Sequence, residues 1–215
     1  MLSLQLDIRT RRIVIVGGGK VATRKAALLI AAGATDITAI APAFAEGFPP
    51  TIKRVGGAYT PSVLAGAALV FAATDRAEVN DAVVRDARAV GALVNRADAD
   101  GDLPGDFTLP AKVDFGDIRV TVSAGSAALS AAIREKLIHG FDPHWASLAA
   151  AMKTLRPWVV GQSHLTAEER AAIFRELASD EALEVSAGGV EMLIGWIRDR
   201  HEKLLVPSAG IPGEG

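Results

Sequence analysis

The sequence predicts an α/β fold built on a parallel sheet, because apolar runs of strand length alternate with helix-forming segments up to about residue 95. The first apolar run, Ile13–Val16, has four aliphatic residues in a row, as expected for a strand buried on both faces. Three glycines follow at once, and a segment rich in Ala and Leu, Val21–Ala32, comes next. Strand, glycine turn and helix in this order are typical of a Rossmann-type domain.

The glycine turn carries a dinucleotide-binding pattern. Gly17-x-Gly19-x-x-Ala22 is the G-x-G-x-x-A form of the fingerprint. Gly17 lets the chain turn sharply, Gly19 lets the backbone approach a pyrophosphate, and Ala22 lets the helix pack closely on the strand. The first N–H groups of the helix then favour phosphate. A tight strand-to-helix turn without a ligand is the alternative. The predicted cofactor contacts of this loop are Gly17, Gly18, Gly19, Lys20, Val21 and Ala22.

The remaining elements follow from apolar runs, caps and breakers. Further strands are expected at Ile37–Ile40, Lys53–Tyr59, Leu69–Ala73, Leu93–Asn95, Phe107–Pro110 and Ile118–Ser123, with a turn at Asp114–Asp117. Helices are expected at Pro61–Ala67 with Thr60 as N-cap, Glu78–Val90, Ser126–His139 with Ser126 as N-cap, Pro143–Trp158, Thr166–Leu177 with a capping box, and Val190–Leu205. The pattern therefore predicts a parallel sheet first, a small α/β segment next and helices at the end.

Composition excludes several classes of function. The chain has 215 residues, a formal net charge of -2 and no cysteine. This balance argues against a nucleic-acid binder, and the lack of thiols excludes disulfides, thiolate metal sites and cysteine nucleophiles. We find neither a signal-peptide pattern near Met1 nor an apolar run of about 18 residues, so we expect a cytoplasmic protein without membrane spans.

The end of the second strand bears on the choice of cofactor. An acid that binds the ribose diol in many NAD sites is missing, because the strand runs into Ala41-Pro42-Ala43. No Arg or Lys occurs between Lys25 and Lys53 to bind a 2′-phosphate. The sequence therefore favours NAD over NADP.

Two residues lie where other strands end. Thr74 follows Leu69–Ala73, so it is placed either to touch a cofactor or to cap the next helix. Asp98 follows Leu93–Asn95 and is a candidate proton-transfer group, with a turn-forming role as the alternative. The histidines, at positions 139, 144, 164 and 201, all lie outside the Rossmann segment, and we predict no metal site.

Beyond these patterns, the chain resembles the precorrin-2 dehydrogenase domain of siroheme synthases. The matching stretches, in family order, are Ile15–Ala26, Ala32–Ala34, Ala72–Asn80, Val94–Asp98, Phe107–Ala111, Val120–Gly125 and Ile133–Leu137. The match is strong over residues 1–140 and fainter over 141–205. The segment Ser123–Ala127 departs from the family by being one residue shorter and by carrying Ala127 in place of a proline.

The resemblance implies a domain plan and a reaction. It implies an NAD-binding Rossmann domain over residues 1–112, a dimerisation segment over 113–148, a helical domain over 149–206 and, by composition, a disordered tail over 207–215. It implies a homodimer that oxidises precorrin-2 to sirohydrochlorin with NAD+. Some relatives also insert Fe2+ as ferrochelatases.

The same resemblance assigns roles to residues. Asp98 matches the family's essential aspartate and is expected to accept a proton. Cofactor contacts are expected at Lys20, Val21, Pro42 and Ala43, with Thr74 nearby. Substrate contacts are expected at Asn95, Arg96, Ser123 and Gly125, and Lys112, Arg119 and Arg134 can meet substrate carboxylates. Two alternatives stay open: a non-catalytic NAD-sensing module, and an NAD oxidoreductase for another substrate.

Overall fold

The computed structural model describes residues 2–98 and 103–201. The chain divides into two compact units between Leu109 and Pro110. The predicted tail, residues 207–215, and the end of the last predicted helix lie outside the described residues. The finer division into domains at residues 112 and 148 stays a prediction.

The first unit confirms the predicted Rossmann-type sheet. Its described part contains one parallel sheet of five strands in the order β3-β2-β1-β4-β5. The strands are β1 (Arg12–Val16), β2 (Asp36–Ala41), β3 (Lys53–Gly56), β4 (Leu69–Ala72) and β5 (Leu93–Arg96). Because the chain order reverses beside β1, the crevice between the carboxyl ends of β1 and β4 is the expected ligand position.

Alternation along β1 explains its unbroken apolar sequence. Ile13 and Ile15 belong to one buried cluster and Val14 and Val16 to another, so the strand supplies a core on each face of the sheet. Ala22, Ala26 and Leu29 of helix α1 (Lys20–Ala31) complete the first core, and helix α2 (Ala77–Ala89) completes the second. Helices on both faces are therefore required to bury β1.

A glycine ends helix α1 as predicted, whereas the helix predicted at Pro61–Ala67 is shorter than expected. Gly33 has a φ of +85° and its N–H bonds to the carbonyl of Ile30, which confirms it as the residue that ends α1. A short 3₁₀ helix, Pro61–Leu64, stands where a helix up to Ala67 was predicted. Thr60 precedes it but makes no side-chain capping bond, because its hydroxyl lies 3.2 Å from that of Ser62.

The segment predicted as a strand at Phe107–Pro110 is not one. The backbone here forms no ladder with β5. Instead, the N–H groups of Asp106 and Phe107 both donate to the same carbonyl oxygen, Val94 O. The Asn95 side chain binds Phe107 O at 2.8 Å and so takes the place of a backbone ladder. Pro110 has no N–H with which to continue pairing.

The second unit begins with an antiparallel hairpin of β6 (Ala111–Phe115) and β7 (Ile118–Val122). The strand β6 therefore includes Asp114 and Phe115, which were predicted to lie in the turn. The turn itself is formed by Gly116, with a φ of +58°, and Asp117. This turn is two residues shorter than predicted, because Asp114 pairs with Arg119 across the strands.

Helices make up the rest of the second unit. They are α3 (Ala127–Gly140), α4 (His144–Gly161), α5 (Ala167–Glu176), α6 (Asp180–Ser186) and α7 (Val190–Arg200). Ser126 caps α3 and Thr166 forms the capping box of α5, as predicted. Helix α6 was not predicted, because seven residues are too few to show a helical period. Within the described part of the chain, no helix combines the length and apolar character needed to cross a membrane.

Candidate functional site

A cavity of about 630 Å³ opens in the first unit at the carboxyl edge of the sheet. Its volume lies in the range of small-molecule sites. Of the predicted site residues, the wall contains Gly17, Gly18, Gly19, Lys20, Val21, Pro42, Ala43, Thr74 and Asp98. It also contains Ala58, Tyr59, Asp75, Arg76 and Val79, which sequence reasoning did not select. Residues from all over the first unit thus meet at the predicted switch point.

The three glycines differ in what surrounds them. Gly17 has a φ of +132°, and a Cβ there would lie 2.3 Å from Ala73 O. A Cβ on Gly18 would lie 2.1 Å from Ala43 O. Apart from Gly19 itself and its two chain neighbours, no described residue comes within 4 Å of a Cβ built on Gly19. Gly17 and Gly18 are therefore required by packing, whereas Gly19 leaves open space in the cavity wall that fits an approaching pyrophosphate.

Helix α1 begins directly behind this loop. Gly19 is its N-cap and offers no side-chain bond to the first turn, and the first turn holds no acid. The positive end of the helix dipole therefore lies at the cavity, and no acid in the first turn of α1 neutralises it. Ala22 is fully buried and does not reach the cavity, so its role is the close helix–strand packing that the fingerprint predicts.

The wall beyond β2 and β3 is mostly apolar. Ala41, Pro42, Ala43 and Ala58 lie there, and Tyr59 closes the wall. The Tyr59 hydroxyl donates to Asp86 Oδ2 at 2.9 Å. Burial raises the pKa of the Tyr59 hydroxyl, and the bond to Asp86 acts in the same direction, so the phenol remains protonated at neutral pH.

Thr74 is held by a buried carboxamide. Asn80 on α2 is fully buried. Its Oδ1 accepts from the Thr74 hydroxyl at 2.8 Å and from the Thr74 N–H at 3.2 Å, while its Nδ2 donates to Thr74 O at 3.1 Å. The Thr74 hydroxyl also accepts from the Arg76 N–H at 3.2 Å, next to the start of α2. Thr74 therefore both lines the cavity and helps to begin the helix.

Asp98 lies in the cavity wall in contact with a buried arginine. Arg96 Nε donates to Asp98 Oδ1 at 2.7 Å, and Arg96 Nη2 donates to Oδ2 at 3.0 Å. The hydrogen bonds from Arg96 hold the pKa of the Asp98 carboxyl below its ordinary value, and burial opposes this shift. Asp98 is therefore ionised at neutral pH.

The predicted substrate contacts on β5 face the protein interior. Asn95 is 3% exposed, and its Nδ2 donates to Phe107 O. The Arg96 side chain is also 3% exposed. Gly105 packs so closely against this strand that a Cβ would lie 2.7 Å from Arg96 N. Neither side chain lines the cavity, so the geometry gives both a role in holding β5 and the segment beside it.

The other predicted substrate residues belong to the second unit. Ser123 follows β7, and Gly125 precedes the N-cap of α3. Between them, Ala124 is held by Ser130, whose Oγ accepts from its N–H at 3.0 Å. Arg119 and Lys112 both bind Asp114, at 2.6 and 3.3 Å, and Arg134 Nε donates to Lys112 O at 2.8 Å. Their contact with a substrate stays a prediction.

The comparison with protein families addresses the first unit. A family model described as "Putative NAD(P)-binding" matches residues 4–111. The chain belongs to this family. The predicted nicotinamide dinucleotide cofactor is thereby confirmed at the level of NAD(P). The match covers the whole cavity wall described above.

The chain is similar in sequence to curated siroheme synthases, as predicted. The chain is 41% identical over 139 residues to a siroheme synthase of Chromobacterium violaceum, covering 61% of this chain and 29% of the relative. It is 34% identical over 206 residues to siroheme synthase 1 of Pectobacterium atrosepticum, covering 93% of this chain and 42% of the relative. The chain thus spans less than half the length of these relatives.

The fold of the chain matches that of a solved structure. The structure of SirC, a precorrin-2 dehydrogenase, matches with a TM-score of 0.72 at 20% identity, covering 93% of this chain and 100% of that one. This confirms the predicted fold class.

Residues that ligate metals are not gathered in the described structure. Within residues 2–98 and 103–201, no group of three His, Asp or Glu side chains is placed to hold a metal ion. The acidic groups of the cavity wall, Asp75 and Asp98, are two rather than three.

Proposed function

We propose that the chain is an NAD-dependent precorrin-2 dehydrogenase that produces sirohydrochlorin for siroheme biosynthesis. One observation carries the proposal: the cavity that holds the fingerprint loop also holds the ionised carboxylate of Asp98. The relatives support the substrate, because siroheme synthase 1 of Pectobacterium atrosepticum aligns along 93% of the chain at 34% identity. The fold shared with a precorrin-2 dehydrogenase is consistent with it.

The proposed dinucleotide lies along the cavity wall. The loop Gly17–Val21 and Thr74 hold its pyrophosphate and nicotinamide half, and Pro42 and Ala43 contact its adenosine half. When bound, NAD+ supplies the hydride acceptor, and the balanced reaction is precorrin-2 + NAD+ → sirohydrochlorin + NADH + H+. The apolar end of β2 favours NAD over NADP, since it offers a 2′-phosphate no cation.

Asp98 is the proposed catalytic residue. It stands at the carboxyl end of the sheet with 19% of its side chain exposed, so it can reach the reacting rings while remaining held by the protein. An anion there stabilises the positive charge that develops on the macrocycle as the hydride leaves. It is also available to accept the proton that the reaction releases.

The carboxylate-rich substrate needs cationic partners. Arg96 is engaged inside the protein, so we assign this role to Lys112, Arg119 and Arg134, with the backbone at Ser123 and Gly125. Their side chains are 37%, 52% and 37% exposed and therefore accessible. Pairing with Asp114 and Glu135 leaves their charges partly neutralised until a substrate carboxylate replaces those partners.

We also propose a homodimer. Helix α3 buries only Ser130 of its 14 residues, and Leu129 is 51% exposed. The sequence of α3 is apolar on more than one face, which a second copy can cover. Sedimentation of the wild type and of Leu129→Glu tests this: the wild type is expected to be dimeric and the variant monomeric, and a monomeric wild type would contradict it.

The first test of the reaction is anaerobic absorbance with precorrin-2 and NAD+, comparing the wild type with Asp98→Asn. NAD-dependent formation of sirohydrochlorin that the variant loses supports the proposal. Binding of NAD+ without turnover would favour a sensing module instead. Turnover of another substrate would favour a different oxidoreductase.

We propose separately that the chain also acts as a ferrochelatase, inserting Fe2+ into sirohydrochlorin. Iron would then be a substrate, and the same cavity would bring sirohydrochlorin to Asp98. Adding Fe2+ or Co2+ to sirohydrochlorin, with and without the protein, measures this ferrochelatase activity directly. Insertion no faster than in buffer would restrict the chain to the dehydrogenase. A cytoplasmic location is proposed along with these reactions.

A further inference from the structure

The Arg96 guanidinium is saturated by the protein itself. Besides the two bonds to Asp98, Nη1 binds Asp81 Oδ1 and donates to Leu103 O at 2.8 Å, and Nη2 donates to Ala77 O at 3.3 Å. An arginine has five N–H donors, and these contacts use all of them. Arg96 therefore has no donor left for a substrate carboxylate, although it was predicted as a substrate contact.

The hydrogen bonds from Arg96 fix the orientation of the Asp98 carboxylate. Each of its oxygens accepts one bond from Arg96 in the parallel, bidentate arrangement that sets orientation as well as distance. The carboxamide of Asn80 also helps to hold the pKa of Asp98 below its ordinary value. Asp81 holds the far side of Arg96 and also accepts from the Leu103 N–H at 3.2 Å. The three charged side chains form a partly buried ion triad, and only Asp98 of the triad lines the cavity.

We propose that Arg96 is a positioning residue for Asp98: its two hydrogen bonds hold the carboxylate in one orientation at the cavity wall. This inference rests on the proposed function, because it assigns the origin of the anion that the reaction uses. Asp81 in turn anchors Arg96. An aspartate without this clamp, at the same depth, would rotate and would more readily take up a proton, because burial disfavours its charge.

Other charged side chains are present in the cavity wall and on helix α2. The wall also contains Lys20, Asp75 and Arg76, and α2 carries Glu78, Asp81, Arg85, Asp86 and Arg88. Arg76 is paired with the exposed Glu78 at 2.6 Å. Lys20 belongs to the dinucleotide loop. Arg96 alone among the hydrogen bonds described to Asp98 supplies a full positive charge at contact distance.

The kinetic test compares wild type, Arg96→Met and Arg96→Lys in precorrin-2 oxidation from pH 5 to 8.5. We expect Arg96→Met to lower kcat by about 100-fold, the loss typical of a misplaced catalytic group, with little change in KM for NAD+. Its activity should also fall at a higher pH on the acidic side than that of the wild type. Arg96→Lys should restore the pH dependence in part, because it keeps the charge but not the bidentate geometry.

Arg88→Met is the matched control. Arg88 also makes two bonds to a single aspartate, Asp106, at 2.9 and 2.8 Å, but it lies outside the cavity wall. The Arg88→Met variant should keep the wild-type kcat and the wild-type pH dependence of activity. If Arg96→Met matches Arg88→Met in both, the proposal is wrong.

A second measurement needs neither activity nor an Arg96 variant. The ¹³C resonance of the Asp98 carboxyl, assigned by its loss in Asp98→Asn, is followed through a pH titration of the wild type. We expect Asp98 to titrate below 3.8, the ordinary value for aspartate. Titration at or above that value would overturn the clamp. Titration below 3.8 in a wild type that forms no sirohydrochlorin would keep the clamp and reject the proposed function.

Discussion

The Asn80 carboxamide satisfies three groups of Thr74 at once, its hydroxyl, its N–H and its carbonyl oxygen. Asn80 is fully buried in helix α2, whereas Thr74 lines the cavity. The side chain therefore fixes the loop after β4 in the position where the proposed cofactor passes. Asn80 also helps to hold the pKa of Asp98 below its ordinary value.

We expect Asn80→Ala to lower the free energy of unfolding by about 1–3 kcal/mol, since it leaves partly buried backbone groups of Thr74 unpaired. NAD+ binding should weaken as well. Urea denaturation and calorimetric titration measure the two effects. Glu78→Gln, on the exposed side of the same helix, is the control and should change stability by no more than about 0.5 kcal/mol. An Asn80→Ala protein that is as stable as this control would contradict the assignment.

The ion triad predicts a specific acid sensitivity. Hydrogen bonds from Arg96 hold the pKa of both Asp81 and Asp98 below 3.8 in the folded chain. Groups with a depressed folded pKa stabilise the protein above their unfolded pKa, and this contribution is lost as the pH falls through the folded value. The unfolding free energy of the wild type should therefore drop below about pH 4.

The double variant Asp81→Asn, Asp98→Asn tests the source of this drop. It lacks both titrating groups, so its stability should depend less on pH between pH 5 and 3 than that of the wild type. Urea denaturation at several pH values gives the two slopes. Equal slopes would assign the acid sensitivity to other carboxylates.

Local patterns were enough to predict much of the fold. Ile13–Val16 is recognisable because a strand buried on both faces is apolar throughout, and the capping box at Thr166 is a signal of four residues. The fingerprint loop and the ends of the strands likewise placed Thr74 and Asp98, both of which line the cavity. Each of these features is encoded by residues close together in sequence.

The features that the sequence did not predict depend on residues far apart in the chain. The engagement of Arg96 follows from Asp81, which is 15 positions away and reaches it only once α2 packs beside β5. The segment at Phe107 looked like a strand because its residues are apolar. It is held instead by a side-chain bond from Asn95, which no period in the sequence reveals. Tertiary hydrogen bonds of this kind decide the roles of polar residues without leaving a local pattern.

The capping box of α5 has a measurable contribution. Glu169 N–H donates to Thr166 Oγ1 at 3.2 Å, and the Thr166 N–H donates to Glu169 Oε2 at 2.8 Å. Thr166→Ala removes the first bond and should destabilise the chain by about 1 kcal/mol, measured by urea denaturation. Thr154→Ala, at an exposed position inside α4, should be neutral or slightly stabilising, because Ala has the higher helix propensity. The prediction fails if the two variants have equal stability.

Cofactor choice is predicted from the apolar wall beyond β2. We expect the wild type to bind NAD+ at least about tenfold more tightly than NADP+, a difference of about 1.4 kcal/mol. Ala43 is exposed in this wall, so Ala43→Arg should reduce the preference by offering a cation to the 2′-phosphate. Ala27→Arg, exposed on α1 outside the wall, controls for added charge. Equal binding of the two dinucleotides by the wild type would contradict the assignment to NAD.

The glycine loop allows packing and cofactor binding to be separated within three consecutive residues. Gly17→Ala and Gly18→Ala each place a methyl group against a backbone oxygen, at 2.3 and 2.1 Å, and Gly17 also needs its positive φ. We expect both to lower the free energy of unfolding by about 1–3 kcal/mol. Gly19→Ala meets no described atom within 4 Å, so its stability should stay within about 0.5 kcal/mol of the wild type.

Binding should show the complementary result. The Gly19→Ala methyl group would occupy the space through which the pyrophosphate approaches the backbone, so NAD+ affinity should fall by about tenfold or more, or about 1.4 kcal/mol. Thermal unfolding and calorimetric titration of the three variants provide the comparison. If Gly19→Ala bound NAD+ as the wild type does, the open space above Gly19 would not be the pyrophosphate position, and the dinucleotide would have to lie elsewhere in the cavity.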